Sequence, residues 1–296
     1  MMLNYVNQLS YNYSMVKKLI IAFSLLVIFV SGCFYNALNV NTKQFRIREE
    51  YLTSDRITKG CDDLLIAYFS DIKLNSFLDE RYVESFISAI DSFKPDIILF
   101  GGDLLDNDDR PTAEQISHLT ALLKKLHTPY GKYAVYGDED HYMKESVDAI
   151  YEAADFKVLN NESLQICLDR SSYINLTGID SLSQGTPDLQ ASFLNNNANY
   201  YSIAISHCPD IFDSILGYNV DTLLSAHSLG GQIFFPILSS FDREYGCKKY
   251  FRGKTTRNGA TLDISTGLGR KTTNARLNAD AEIVMYTLRF EENEAK

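Results

Sequence analysis

The chain has 296 residues, of which 45% are hydrophobic and only 6 are proline, so it is long enough to bury a large core in one or two domains. Its formal charge is -10 and its isoelectric point is near 5.0. Because affinity for nucleic acid rests mainly on lysine and arginine side chains that neutralise phosphates, this acidic balance excludes nucleic acid as a principal partner.

The first 33 residues differ in character from the rest. Lys17 and Lys18 precede an apolar run of 12 residues, 19 to 30, and small residues follow it up to Cys33. A basic head, a short apolar stretch and small residues at the end are typical of a secretory signal. The run is shorter than the ~20 residues needed to cross a bilayer, so a membrane-spanning helix is the weaker interpretation.

The end of this segment, Val30-Ser31-Gly32-Cys33, resembles a bacterial lipobox. That resemblance implies cleavage before Cys33 and acylation of its thiol; the alternative is an uncleaved N-terminal anchor with an incidental cysteine. Either alternative predicts a protein held at the cell membrane on its extracytoplasmic face. We expect residues 34–60 to form a tether with one possible strand around 45–47, and residues 292–296 to form a tail.

From residue 61 onward the hydrophobic pattern becomes regular. Strand-like runs at 64–69, 96–100 and 133–136 alternate with amphipathic stretches at 80–93, 112–126 and 144–154. This alternation predicts βαβ units and a largely parallel sheet. Further strand-like runs follow at 173–177, 201–205, 222–225, 261–265 and 282–289 without an intervening linker, so we predict one α/β domain over residues 61–291.

Polar residues follow several of these predicted strands directly. In open α/β sheets, ligands bind beyond the carboxyl ends of the strands, where loops converge. Each of these residues alone is typical of a turn. Together they are three carboxylates and two imidazoles, a set of ligands that suits Mn, Zn or Fe: Asp71, Asp103, Asp138, His207 and His227.

The same segments resemble, in order, the motifs of the calcineurin-like metallophosphoesterases. Those motifs are D-x-H, G-D-x-x-D, G-N-H-D, a lone histidine and G-H-x-H-G-G-Q. The corresponding segments here are Asp71-Ile72-Lys73, Gly102-Asp103-Leu104-Leu105-Asp106, Gly137-Asp138-Glu139-Asp140, His207, and Ala226-His227-Ser228-Leu229-Gly230-Gly231-Gln232. The resemblance implies the family's fold, in which central β-sheets are flanked by helices in an α/β/β/α sandwich, and hydrolysis of phosphoric esters.

The resemblance also implies two metal positions, which this chain retains unequally. The first would be held by Asp71, Lys73, Asp103 and Leu229, but a protonated lysine and a leucine offer no lone pair. The second would be held by Asp103, Asp138, His207 and His227, which can all coordinate. We therefore expect one divalent ion, Mn, Zn or Fe. The Lys73 ammonium either replaces part of the missing charge or points to solvent.

Other positions matched to the family carry weaker expectations. Glu139 replaces the histidine that assists the leaving group in the family, and Asp106 is the second acid of its motif, so both are candidate catalytic residues. Arg270 and Lys271 could bind a phosphate, although a solvated loop explains them equally simply.

Two functions remain open from the sequence. The first is a hydrolase that acts on a small phosphorylated ligand with impaired or altered catalysis. The second is a catalytically inactive, surface-anchored binding protein that keeps the fold and one metal.

Overall fold

The computed structural model describes residues 2–168, 171–235 and 243–292. Its helices are α1 (Met2–Tyr35), α2 (Glu80–Phe93), α3 (Ala113–Lys125), α4 (Asp138–Tyr142), α5 (Lys144–Ala153), α6 (Leu189–Phe193) and α7 (Phe212–Ile215). Its strands are β1 (Phe45–Ser54), β2 (Leu65–Phe69), β3 (Ile97–Phe100), β4 (Lys132–Ala134), β5 (Phe156–Val158), β6 (Glu162–Cys167), β7 (Tyr173–Ile179), β8 (Tyr201–Ser206), β9 (Thr222–Ser225), β10 (Gly253–Arg257), β11 (Ala260–Ile264) and β12 (Ala281–Phe290).

The strands form two six-stranded mixed sheets. The first sheet has the order β1-β12-β2-β3-β4-β5, and all its pairs are parallel except β12 with β2. The second has the order β10-β11-β9-β8-β7-β6, with antiparallel pairs only at its two edges. The prediction of a largely parallel arrangement is therefore confirmed, but it is divided between two sheets.

Alternation along the strands builds three apolar layers. In β2, Ile66 and Tyr68 face the second sheet, while Ala67 and Phe69 face helices α2, α3 and α5. The outer face of the second sheet packs against α6 and α7, through side chains such as Phe193 and Phe212. The result is the expected α/β/β/α sandwich.

Strand β1 lies in the segment that the sequence analysis assigned to a tether. It pairs with β12 in parallel from Phe45 to Ser54, so the first sheet includes residues well before Cys61. Only its start, around 45–47, was expected as a strand, because most of its side chains are exposed or half-buried and many are charged, which hides the hydrophobic pattern of a strand.

The N-terminal segment is a continuous helix, longer than its 12-residue apolar run suggested. The stretch from Met15 to Lys43, which includes the helical turns Asn36–Val40 and Asn41–Lys43 after α1, has a mean hydropathy of 2.2 over its most apolar window, and that window is not buried against the rest of the protein. By length and composition this helix could cross a membrane, although a signal sequence has the same properties.

Candidate metal centre

The predicted metal ligands lie where adjacent strands end. Asp71 and Asp103 follow β2 and β3 of the first sheet, and His207 and His227 follow β8 and β9 of the second. The backbone amide of His227 lies 3.4 Å from Asp71 Oδ2 and so joins the two sheets at this edge. The site is therefore assembled from both sheets.

The backbone at this edge is unusual. Five residues with side chains adopt a positive φ, which favours glycine: Asp71 (48°), Lys73 (42°), Asp103 (58°), His227 (70°) and Leu229 (50°). Each such residue costs on the order of 1–3 kcal/mol, and such conformations concentrate at functional sites.

Close backbone contacts hold the loop after β3 against the loop after β4. A Cβ atom on Gly137 would lie 2.2 Å from Asp103 Oδ1, so only glycine allows this approach. The buried Asp140 accepts hydrogen bonds from the amides of Asp103 (2.9 Å), Leu104 (2.9 Å) and Gly137 (2.8 Å). Burial and the charge of Asp103 raise the pKa of Asp140 to about 6. Asp140 thus fixes both loops, a role that the sequence analysis did not assign.

Asp71, Asp103 and His207 form a fully buried group whose ligand atoms lie within 4.8 Å of one another. His207 Nε2 is 3.2 Å from Asp103 Oδ2 and 3.9 Å from Asp71 Oδ1, while His207 Nδ1 is fixed by the carbonyl of Gly101 at 2.8 Å. Among the described residues, neither Asp71 Oδ1 nor His207 Nε2 has a partner with hydrogen-bond geometry. A buried carboxylate oxygen without a partner is costly, so Asp71 Oδ1 fits a bound cation.

The carboxylates also change the proton affinity of His207. Burial lowers its pKa, but the charges of Asp103, Asp71 and Asp138 outweigh burial and raise it to about 10. A metal ligand must be the neutral imidazole, so a proton and a metal ion compete for His207 Nε2.

Asp138, Cys208 and His227 form a second group of close ligand atoms. His227 Nδ1 is 3.3 Å from Asp138 Oδ2, and Cys208 Sγ is 3.6 Å from Asp138 Oδ1. The rings of His207 and His227 are 5.1 Å apart, so the two groups are contiguous. The four residues expected to hold one metal are thus divided between two adjacent groups, Asp103 and His207 in the first and Asp138 and His227 in the second. The buried thiol of Cys208 lies in the second group. The sequence did not indicate this residue as a ligand, because the chain has no C-x-x-C pair.

Lys73 points into the site rather than to solvent. Its side chain is 4% exposed, its ammonium donates to Asp103 Oδ2, and Glu139 Oε1 lies 3.8 Å away. Burial lowers the pKa of Lys73, but Asp103, Asp71 and Glu139 raise it above its usual value. The ammonium is thus a fixed positive charge beside Asp103. Leu229 is also buried and offers no donor atom.

Glu139 faces two lysines. Its Oε1 atom is 2.9 Å from the Nζ atom of Lys271, which is also 3.5 Å from Glu244 Oε1. Lys271 and His227 line a pocket of about 180 Å³. Because lysines neutralise its carboxylate, Glu139 opposes an approaching phosphate less than its charge alone suggests.

Two expected site residues point elsewhere. Asp106 Oδ1 accepts from the amides of Asp108 (2.9 Å) and Asp109 (3.0 Å), and its Oδ2 accepts from Asn75 (3.0 Å), so it stabilises a turn. Arg270 is buried, and its guanidinium donates to the carbonyls of Thr42 and, at 3.0 Å, Phe77. Neither contacts the metal ligands, so the catalytic expectation for Asp106 and the phosphate-binding expectation for Arg270 are not met by this geometry.

Comparison with known proteins is consistent with this geometry. No family model matches the chain. The chain is 30% identical over 243 residues to the metallophosphoesterase YkuE of Bacillus subtilis, covering 81% of this chain and 84% of that protein. It is 26% identical over 269 residues to a metallophosphoesterase of Aquifex aeolicus, covering 86% and 96% respectively.

Two more distant similarities concern a named enzyme and a solved fold. The chain is 24% identical over 222 residues to the UDP-2,3-diacylglucosamine pyrophosphatase LpxG of Chlamydia trachomatis, covering 58% of this chain and 65% of that protein. A dimetal phosphatase from Danio rerio superposes with a TM-score of 0.51 at 9% identity, covering 76% of this chain and 99% of that chain. Because it is 30% identical to YkuE over most of both proteins, the chain belongs to the metallophosphoesterases, a membership that implies the use of a divalent metal.

Proposed function

We propose that the chain is a metal-dependent phosphoric ester hydrolase that holds one divalent ion, Mn, Zn or Fe, between Asp103, Asp138, His207 and His227. The adjacency of two ligand pairs, His207 with Asp103 and His227 with Asp138, carries the proposal, since the two imidazole rings are 5.1 Å apart. Cys208 is an additional donor next to Asp138. Family membership supports the reaction class.

In this proposal the protein's own charges complete the site. A bound metal would activate water and neutralise charge on a phosphoryl group. Lys73, fixed beside Asp103, supplies the positive charge that a second ion would otherwise bring. Lys271 is half-buried at the pocket and can contact the phosphate. Hydrolysis joins the oxygen of water to phosphorus and breaks the ester P–O bond, and the leaving alkoxide takes a proton.

A second candidate function is a metal-binding protein without turnover. The observation that favours it is the contact of Lys73 with Asp103. An ammonium bound to that carboxylate competes with a metal for the same oxygen, and Leu229 offers no ligand to compensate.

Anchoring at the cell membrane, with the domain on the extracytoplasmic face, belongs to the same proposal. The apolar helix α1 supports it. A relative named as a transmembrane protein with a metallophosphoesterase domain, from Bos taurus, supports it as well. Acylation of Cys33 is the alternative mode of attachment to an uncleaved helix.

The decisive experiment measures metal content and turnover together. The full chain, purified in detergent, should contain about one metal per chain and hydrolyse a chromogenic phosphodiester with added Mn. His227→Ala should lose both metal and turnover, while His127→Ala, at an exposed position after α3, should keep both. Metal without turnover in the unmodified chain would support the binding protein. Two metals per chain would refute the assignment of ligands.

A further inference from the structure

An apolar groove of about 430 Å³ lies between the end of helix α1 and the domain. Phe29, Cys33 and Phe34 line it on the helix side, and Ile233, Phe235 and Leu277 line it on the domain side. Its volume is in the range of small-molecule sites. Phe34 is 64% exposed, Phe235 48% and Ile233 39%. A contiguous exposed apolar surface of this kind marks a site for a membrane, lipid or partner.

The domain side of the groove consists of two loops, residues 229–235 and 271–277, which we call the paired loops. The Gln232 side chain donates to the carbonyls of Lys271 (3.1 Å) and Thr273 (2.7 Å) and accepts from the Lys271 amide (2.8 Å). Further along, the amide of Phe234 donates to the carbonyl of Leu277 at 2.8 Å. These hydrogen bonds make the paired loops one wall.

This wall has two functional faces. Gln232, Lys271 and Thr272 line the pocket that contains His227. The next residues in each loop, Ile233 and Thr273, line the apolar groove. The pocket that contains His227 and the apolar groove therefore lie on the two sides of the same hydrogen-bonded layer of chain.

The wall is also fixed to the short helical turns that directly follow α1, Asn36–Val40 and Asn41–Lys43. The Arg276 amide donates to the carbonyl of Ala37 at 2.9 Å, and Asn41 Nδ2 donates to the carbonyl of Arg276 at 3.0 Å. The buried Arg276 guanidinium donates to the carbonyls of Gly269 and Ala279. The groove therefore lies at the domain end of the apolar helix, which is the level of the membrane surface if that helix is embedded.

We propose that this groove binds an acyl chain of a membrane lipid whose phosphorylated head group reaches the metal centre. Its apolar lining disfavours a polar occupant. The apolar helix that forms one side of the groove would place the groove next to the bilayer. Lys271, between the groove and the metal ligands, provides a cation for an anionic head group. Lipid binding stands without catalysis; the use of that lipid as substrate rests on the proposed hydrolase function.

The chain contains no tryptophan, so a single introduced indole reports on one place. The Phe235→Trp full chain in detergent is titrated with a phosphatidylglycerol that carries brominated acyl chains. We expect saturable loss of more than half of the fluorescence at about one lipid per chain. Leu194→Trp, at a position that is 75% exposed after α6, should lose little.

Three results would overturn lipid binding. One is equal quenching of the two variants. Another is quenching of Phe235→Trp that rises without saturation, which reports partition into micelles. The third is an intact mass that shows acylated Cys33 together with no quenching by added lipid, because the groove would then hold the chain's own anchor.

Use of the lipid as substrate is tested by a pair of activities. Phe235→Glu should reduce phosphate release from phosphatidic acid about tenfold while hydrolysis of the soluble chromogenic phosphodiester stays unchanged, which also shows that the variant is folded. Equal loss on both substrates would refute the substrate claim. If the unmodified chain hydrolyses neither, the hydrolase proposal fails, and the quenching titration still decides lipid binding.

Discussion

The orientation of the Lys73 side chain is visible only in the structure. Its type alone left open whether it faces solvent, because lysine is usually exposed. The structure places its ammonium against Asp103 and near Glu139, with 4% of the side chain exposed. A loop of left-handed residues turns the side chain inward, and such a backbone is not predictable from a single sequence.

Replacing Lys73 should destabilise the protein in a way that metal reverses. Lys73→Met leaves buried carboxylates without their counter-charge, and breaking a buried pair costs about 3–5 kcal/mol. We expect a loss of that order in urea unfolding with a chelator, and a much smaller loss with excess Mn, which restores positive charge. Lys94→Met, at a side chain that is 73% exposed, is the control. An equal loss with and without metal would show that the ammonium acts only through packing.

Cys208 shows what sequence reasoning could not supply. It follows His207 directly, but nothing in its spacing relative to other cysteines distinguishes it. Only the approach of β8 to the loop after β4 brings its Sγ atom to 3.6 Å from Asp138 Oδ1. Burial raises the pKa of the thiol well above its usual value, so bound metal is required to make it a thiolate.

Cobalt substitution tests whether Cys208 is a metal ligand. A thiolate bound to Co²⁺ produces a charge-transfer band in the near ultraviolet, which oxygen and nitrogen ligands lack. We expect this band in the unmodified protein and its loss in Cys208→Ser. Cys247→Ser, which removes another buried thiol that lines the pocket containing His227, should retain it. A spectrum unchanged by Cys208→Ser would exclude the thiol from the coordination sphere.

At the scale of elements, regular hydrophobic patterns predicted helices and buried strands correctly, whereas the short or exposed strands near the sheet edges were not predicted. The helical pattern at 80–93 matches α2, whose amphipathic face is buried and whose first turn is capped by Asp79. The short strands β5 and β6 and the exposed β10 were missed, since three to six residues with mixed exposure carry little periodic signal. Position along the chain predicted which side chains share a sheet edge, but their distances depend on loop geometry.

His141 connects elements of the two sheets and makes stability depend on pH. Its Nε2 atom lies 2.8 Å from Asp180 Oδ1, joining α4 to the loop after β7. This hydrogen bond raises the pKa of His141 above its ordinary value of 6.5. Because the folded pKa is raised, the contribution of His141 is complete below its unfolded pKa and is lost as pH rises through the folded pKa.

We therefore compare the pH dependence of the unfolding free energy in the unmodified protein and in His141→Gln. From about pH 6 to about pH 9, unfolding free energy from urea titration should fall more in the unmodified protein than in this variant. His127→Gln should follow the unmodified protein, because His127 is exposed after α3. Parallel curves for the unmodified chain and His141→Gln would show that the pair contributes nothing to stability.

At the scale of the whole molecule, strand β1 extends the first sheet to residues before 61. Besides its pairing with β12, it carries Arg48, whose guanidinium contacts Asp263 at 2.9 Å and Glu282 at 3.3 Å. Both acids are almost completely buried. A boundary at residue 61 would remove Arg48 from both carboxylates and leave Asp263 with only the more distant Lys254 as a cation, at 3.7 Å.

Truncation should show how much β1 and its ion pairs contribute to stability. A chain that starts at residue 61 should be less stable than one that starts at residue 36 by at least about 3–5 kcal/mol, the cost of removing one partner from a buried ion pair. Thermal or urea unfolding of the two fragments measures it. Arg48→Met in the longer fragment should reproduce much of the loss. Equal stability of the two fragments would mean that β1 is an accessory strand.

The left-handed backbone at positions 73 and 229 has a consequence for how this fold can change. Lys73 and Leu229 keep φ values of 42° and 50° although neither side chain can bind a metal. The left-handed backbone at these two positions therefore does not depend on a bound metal ion, and the rest of the fold stabilises it without one. A histidine introduced at either position would adopt the backbone conformation that is already present. A metal site can therefore be gained or lost by single substitutions, without a change in the backbone.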